Sequence, residues 1–184
     1  MKYNLTEVII VSVTKQSFGE YSLYTIKNEK GSSVSITELG ATVQSIMMPD
    51  RNGRLGDVVV GYDTAQEYIN DSEYVGAVVG RFANRIGKGS FKIDGTEYNI
   101  MVNEGKNTLH GGEGIHHKRF EVLSVGESSV TLFISEPDGS DGFPGKLEIL
   151  VRYKLTDDSL VLHVLGQNVA DNLNEKAAKC FEKQ

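Results

Sequence analysis

Gly80-Arg81-Phe82-Ala83-Asn84-Arg85-Ile86 and Asn107-Thr108-Leu109-His110-Gly111-Gly112 stand at the two ends of the stretch whose reading decides the fold. Between them, Ser90-Phe91-Lys92-Ile93 and Thr96-Glu97-Tyr98-Asn99-Ile100 flank Asp94-Gly95, the pattern of two strands joined by a tight hairpin turn. A hairpin returns the chain close to where it began, so Arg85 and His110 are expected to face one site. An apolar lead-in, Tyr74-Val75-Gly76-Ala77-Val78-Val79, precedes the first end. Guanidinium fork, amide and imidazole together make a hydrogen-bonding surface suited to a neutral ligand rich in hydroxyls.

The same short-strand pattern extends in both directions. Upstream, residues 8–11, 21–26, 34–37 and 39–46 read as strands, with turn chemistry at residues 18–20, 28–31 and 49–53. Residues 58–62 read as another strand. Thr64 with Glu67 three positions on is a capping box for a short helix over residues 65–69, in which Tyr68 packs inward. Downstream, residues 119–125, 129–135, 146–155 and 160–165 read as strands, and a loop rich in Gly, Pro and Asp spans 136–145. Strands of this length and spacing predict an all-β, mostly antiparallel sandwich and not alternating βα units. Residues 1–166 read as one domain part. Residues 167–184 form a tail of different character, with Asn172 as N-cap and Leu173, Ala177 and Phe181 on one helical face.

Composition narrows the partners. The 184 residues carry a net charge of -6, with the two signs interspersed, which argues against a nucleic-acid footprint. No stretch approaches 18 apolar residues, and the N-terminus lacks a signal-like apolar core, so no membrane partner is expected. A single Cys180 allows no internal disulfide, and a reducing cytoplasm is the simplest setting.

GRFANRI, NTLHGG and then Asp141-Gly142-Phe143-Pro144-Gly145, in this order and spacing, resemble the aldose 1-epimerase (galactose mutarotase) family. The resemblance covers roughly residues 5–165. It implies a galactose-mutarotase-like β-sandwich, a supersandwich here truncated to its N-terminal part, that binds a hexose and interconverts its α and β anomers without a cofactor. By the same resemblance, Arg85 and Asn84 contact sugar hydroxyls, and His110 holds the sugar near its ring oxygen and anomeric carbon as the catalytic histidine. Arg81 falls to a structural role, and the glycines of residues 141–145 to shaping a loop.

Mutarotation needs an acid and a base acting together. In the family these are a second histidine, in an Asn-His-Ser-Tyr-Phe-Asn-like motif, and a glutamate near the C-terminus. That motif does not follow residues 160–165 here. Two readings therefore stand: an aldose 1-epimerase, or a sugar-binding remnant or fragment of one. A half-sandwich also leaves sheet surface exposed, which predicts self-association.

His116 and His117 follow His110 closely enough to raise a metal site. Adjacent histidines in a strand point to opposite faces, so only one is expected to join His110, and no metal is expected. His163 alternates with Val161 and Val164 and reads as a half-buried strand residue.

Overall fold

The computed structural model describes residues 12–169. Two antiparallel sheets face each other. The first is a meander of β1 (Ser12–Phe18), β2 (Tyr21–Lys27), β3 (Ser33–Thr37), β4 (Val43–Pro49) and β5 (Leu55–Asp57), in that spatial order. After it come helix α1 (Ala65–Ile69) and four short strands, β6 (Arg85–Ile86), β7 (Ser90–Ile93), β8 (Thr96–Asn99) and β9 (Thr108–Leu109). The second sheet is another meander, β10 (Glu121–Val125), β11 (Ser129–Glu136), β12 (Lys146–Leu155) and β13 (Leu160–Val169). The all-β sandwich expected from strand periodicity is the fold observed.

Period-2 alternation builds the core. On β11, Val130, Leu132 and Ile134 point inward, and on β12 Ile149, Val151, Tyr153 and Leu155 do so. They meet Ile26, Val34 and Ile36 of the opposite sheet, with Ile115 and Phe120 from the connecting chain between them. Tyr153 is the largest side chain fully buried there, and its hydroxyl donates to the Ala41 carbonyl at 2.7 Å. That bond satisfies a phenol which burial otherwise penalises in its charged form, raising its pKa. The cross-sheet tie also fixes the turn at residues 39–42, where Thr42 N donates to Leu39 O.

Several elements differ from expectation for identifiable reasons. Residues 39–46 do not form one strand, because Gly40 and Ala41 both take positive φ and β4 begins only at Val43. Residues 58–62 are irregular. There the Asp57 carboxylate accepts from the backbone N–H groups of both Ile46 and Val59, capturing a donor that a continuing ladder would use. Gly61 lies so close to the next segment that a Cβ would sit 1.9 Å from the Gln44 carbonyl oxygen. Strand β1 has no counterpart in the periodicity reading, since its middle is polar and exposed at the sheet edge. Strand β13 runs on to Val169, past the predicted end at 165.

Thr64 caps α1 as predicted: its hydroxyl accepts from Glu67 N, and the Glu67 carboxylate accepts from Thr64 N. Tyr68 packs at 4% exposure against Phe18 and Tyr62. The strand predicted over 8–11 and the helix over 172–182 lie outside the described residues, as does Cys180. Among the described residues no helix is long and apolar enough to cross a membrane.

Stability is expected to follow the two inner faces. Leu132→Ala opens a cavity at a fully buried position and should lower unfolding free energy by about 3 kcal/mol. Val164→Ala, at a position 54% exposed on the same sheet, should change it by no more than about 0.5 kcal/mol. Urea unfolding of the two variants beside the parent checks the contrast, and equal losses would place the core elsewhere.

Candidate functional site

The predicted hairpin exists and does what its pattern implied. Ile93 pairs with Thr96 across Asp94 and Gly95, both at positive φ, as a two-residue turn requires. The flanking chain closes beneath it, with Arg85 paired to Leu109 and Ile86 to Thr108 in the short β6–β9 ladder. Asn103 pins this ladder from below. Its amide donates to the carbonyls of Leu109 and Gly112, both at 2.9 Å, and accepts from Leu109 N at 2.6 Å. Asn107, the first residue of the NTLHGG motif, accepts from Lys88 N and so serves the backbone. Gly111 permits a close backbone approach: a Cβ there would lie 2.0 Å from the Gly80 carbonyl oxygen.

At the mouth of the ladder, Asn84 and His110 bond reciprocally. His110 N donates to Asn84 O, and Asn84 N donates to His110 Nδ1, each at 3.0 Å. Both residues sit at positive φ, 70° and 52°, a strained arrangement for non-glycine residues that these paired bonds hold in place. The consequence is chemical. With Nδ1 occupied as an acceptor, the neutral imidazole carries its proton on Nε2.

The Asn84 side chain is also oriented. Its Oδ1 accepts from Arg85 N at 2.9 Å and lies 3.4 Å from Arg85 Nη1, leaving the NH₂ turned away as a donor. Arg85 in turn places Nε and Nη2 on the two oxygens of Glu104, at 2.6 and 2.5 Å. The outer Nη1 and Nη2 hydrogens meet no acceptor among the described residues. So Asn84, Arg85 and His110 present hydrogen-bond donors and no side-chain acceptor.

Arg81 has the structural role predicted for it. It holds the loop 137–145 through the carbonyls of Gly145 at 2.5 Å and Pro137 at 2.6 Å. Lys118 steadies the same loop by pairing with the buried carboxylate of Glu136 and approaching Asp141 at 3.5 Å. Neither Asn103, Glu104 nor the Lys118–Glu136 pair was singled out in the sequence. Their only signals are ordinary, an Asn before Glu-Gly and isolated charges in loops.

A cavity of about 580 Å³ lies beside this loop, and Arg85 lines it together with Phe82, Phe91 and Phe143. It corrects one expectation. Its walls are largely apolar, and neither Asn84 nor His110 lines it, so the cluster does not share one polar pocket. Glu104 lines a second cavity of about 410 Å³, beside Tyr74, Asn103 and His116. The Arg85–Glu104 pair thus stands between the two.

The histidine expectation is corrected as well. His116 and His117 lie in a turn and not a strand, and their rings meet at a tilt, centroids 4.1 Å apart, instead of pointing to opposite faces. Tyr74 wedges between His110 and His116, 4.6 Å from each ring. Among the described residues no group of three or more His, Cys, Asp or Glu is placed to hold a metal ion. His163 is half-buried, as predicted.

The family profile for aldose 1-epimerase matches residues 22–176. The chain belongs to the aldose 1-epimerase family. It is 39% identical over 164 residues to galactose mutarotase of Bos taurus, a match covering 86% of this chain and 48% of that protein. It is 38% identical over 141 residues to aldose 1-epimerase of Haemophilus influenzae, covering 77% and 41%. Among solved structures, an aldose epimerase homologue from C. elegans superposes with a TM-score of 0.78 at 32% identity, over 82% of this chain and 47% of that one. A galactose 1-epimerase from Lactobacillus acidophilus, at 22% identity and a TM-score of 0.73, shares the fold. The chain spans about half the length of the curated relatives it matches.

One prediction concerns this epimerase-family chain at acid pH. His116 is 7% exposed, and burial, reinforced by His117 and His110, pushes its pKa from 6.5 down to about 4. The folded state therefore keeps His116 neutral while the unfolded chain protonates it. Stability is unaffected by this group above pH 6.5, falls as pH drops through the window, and the loss is complete below about 4. The contribution is about 1–3 kcal/mol. Urea unfolding at stepped pH should show a steeper acid loss for the parent than for His116→Gln; parallel curves would refute it.

Proposed function

We propose that this chain forms the sugar-orienting part of an aldose 1-epimerase site, binding an aldopyranose through Asn84, Arg85 and His110. The observation that carries the reading is a donor-only set: the reciprocal Asn84–His110 pair leaves His110 its Nε2–H, Arg85 N occupies Asn84 Oδ1, and the guanidinium can only donate. A pyranose offers lone pairs all round its rim, and its ring oxygen can only accept, so a donor-only surface suits it. The outer N–H pair of Arg85 fits adjacent hydroxyls, a planar geometry that lysine cannot copy. His110 Nε2–H is the group suited to the ring oxygen. Relatives named galactose mutarotase make galactose the first sugar to test.

Ring opening needs a proton delivered to the ring oxygen and another removed from the anomeric hydroxyl. His110, held as a neutral Nε2–H tautomer, can hydrogen-bond to the ring oxygen and polarise it, but releasing that proton would leave an imidazolate, so delivery needs an acid from outside the cluster. Removal needs a base, and this cluster offers none. His110 Nδ1 is already occupied, and both Glu104 oxygens lie on Arg85, whose hydrogen bonds hold that carboxyl below its usual range. A sugar-binding surface that needs a base from outside the cluster to turn over is compatible with that observation.

NMR titration of the 184-residue chain with galactose should show binding of about millimolar strength, perturbing the amide signals of Asn84, Arg85 and His110. His110→Ala and Arg85→Lys should each weaken it by about tenfold, since each leaves a sugar oxygen without its donor. Polarimetry on the same sample should stay at the uncatalysed rate. Binding indifferent to both substitutions would refute the site. Rapid mutarotation would refute the missing base.

A further inference from the structure

We propose that Glu104 sets both the aim and the charge of Arg85, so that the site admits neutral aldoses and disfavours anionic sugars such as uronates. This rests on the sugar-binding reading above. A guanidinium has five N–H bonds. Glu104 takes Nε–H and one Nη2–H along one edge, at 2.6 and 2.5 Å, and Asn84 Oδ1 lies 3.4 Å from Nη1. The outer edge, one hydrogen from each of Nη1 and Nη2, is left pointing away from both partners. That edge spans adjacent hydroxyl oxygens, and the bidentate pair on the opposite side fixes where it points.

The pair is not explained by stability. Both side chains are substantially exposed, at 55% and 36%, and ion pairs in that setting contribute little to folding. What it changes is the ligand's surroundings. Arg85 alone would be an exposed, unneutralised fork, the geometry that captures carboxylate or phosphate oxygens most strongly. With Glu104 in place the local charge sums to zero, and an incoming anion meets a carboxylate on the far side of the same guanidinium. A neutral sugar gives up only weak hydration and is not repelled. Discrimination therefore comes from a built-in repulsive element beside the attractive one.

The test uses galactose and galacturonate, which differ at C6 by a charged carboxylate, titrated by NMR into the whole chain and its Glu104→Gln and Glu104→Asp variants. The parent should prefer galactose. In Glu104→Gln the ratio of the two dissociation constants should move toward galacturonate by about tenfold, and added salt should shrink the gain, as it does for exposed charges. Glu104→Asp, which keeps the charge, should retain the parent's preference; its loss would overturn the proposal. An unchanged ratio in Glu104→Gln, with galactose still perturbing Asn84, Arg85 and His110, would overturn the role of Glu104 alone. If galactose perturbs none of those signals in the parent, the sugar-site reading falls and this inference with it.

Discussion

The two hydrogen bonds between Asn84 and His110 are the constraint from which the site's chemistry follows. Each residue alone would avoid positive φ; paired, His110 N donates to the Asn84 carbonyl and Asn84 N donates to the His110 ring nitrogen, so both backbone donors are satisfied. The pair locks the β6–β9 ladder at its open end, with Asn103 locking it from below. It also chooses the imidazole tautomer. Shape and proton inventory are thus set by one local arrangement, and Gly111 admits it by letting the backbone of Gly80 approach.

The site and the stability of the fold rest on different residues. Tyr153, Leu132, Val151 and Ile36 hold the sheets together out of water, while Arg85 and Glu104 sit at the surface. Between them lies a layer that does both jobs. Arg81 and the Lys118–Glu136 pair fasten the 137–145 loop, which carries Phe143 into the cavity beside Arg85. Breaking a buried ion pair is strongly destabilising because the remaining charge stays unpaired. The loop's geometry therefore has a firm anchor even though its tip is rich in Gly and Pro.

Much of this was legible in the residues, for physical reasons that differ by element. Strands β11 and β12 carry period-2 alternation because one face is buried, and the Asp94-Gly95 turn admits few alternatives. Thr64 and Glu67 announced the helix because a capping box is a local, reciprocal arrangement. Strand β1 stayed silent, since an edge strand with solvent on its outer side has no alternation to impose. Residues 58–62 misled for the opposite reason: a valine run looks like a strand until the Asp57 carboxylate claims its neighbours' N–H groups. Arg85, Asn84 and His110 stood out through their motifs, and the hairpin between those motifs does bring the three together. Glu104 did not stand out, because pairing across 19 positions leaves no periodic trace.

That last residue shows why a donor-only surface still needs an acidic partner. Three donors without one would bind any oxygen-rich molecule, anions most of all, because a bare guanidinium outcompetes neutral recognition wherever a carboxylate or phosphate is present. Neutralising the guanidinium from behind keeps its planar geometry while removing most of its net pull on anions. Lysine paired the same way would lose the fork, and an amide in place of arginine would lose the reach. Arginine with a bidentate carboxylate satisfies both demands, since five fixed donors leave two N–H groups for a ligand after Glu104 and Asn84 have taken three. In the proposed site, selectivity follows less from Asn84, Arg85 and His110 themselves than from the carboxylate paired with Arg85.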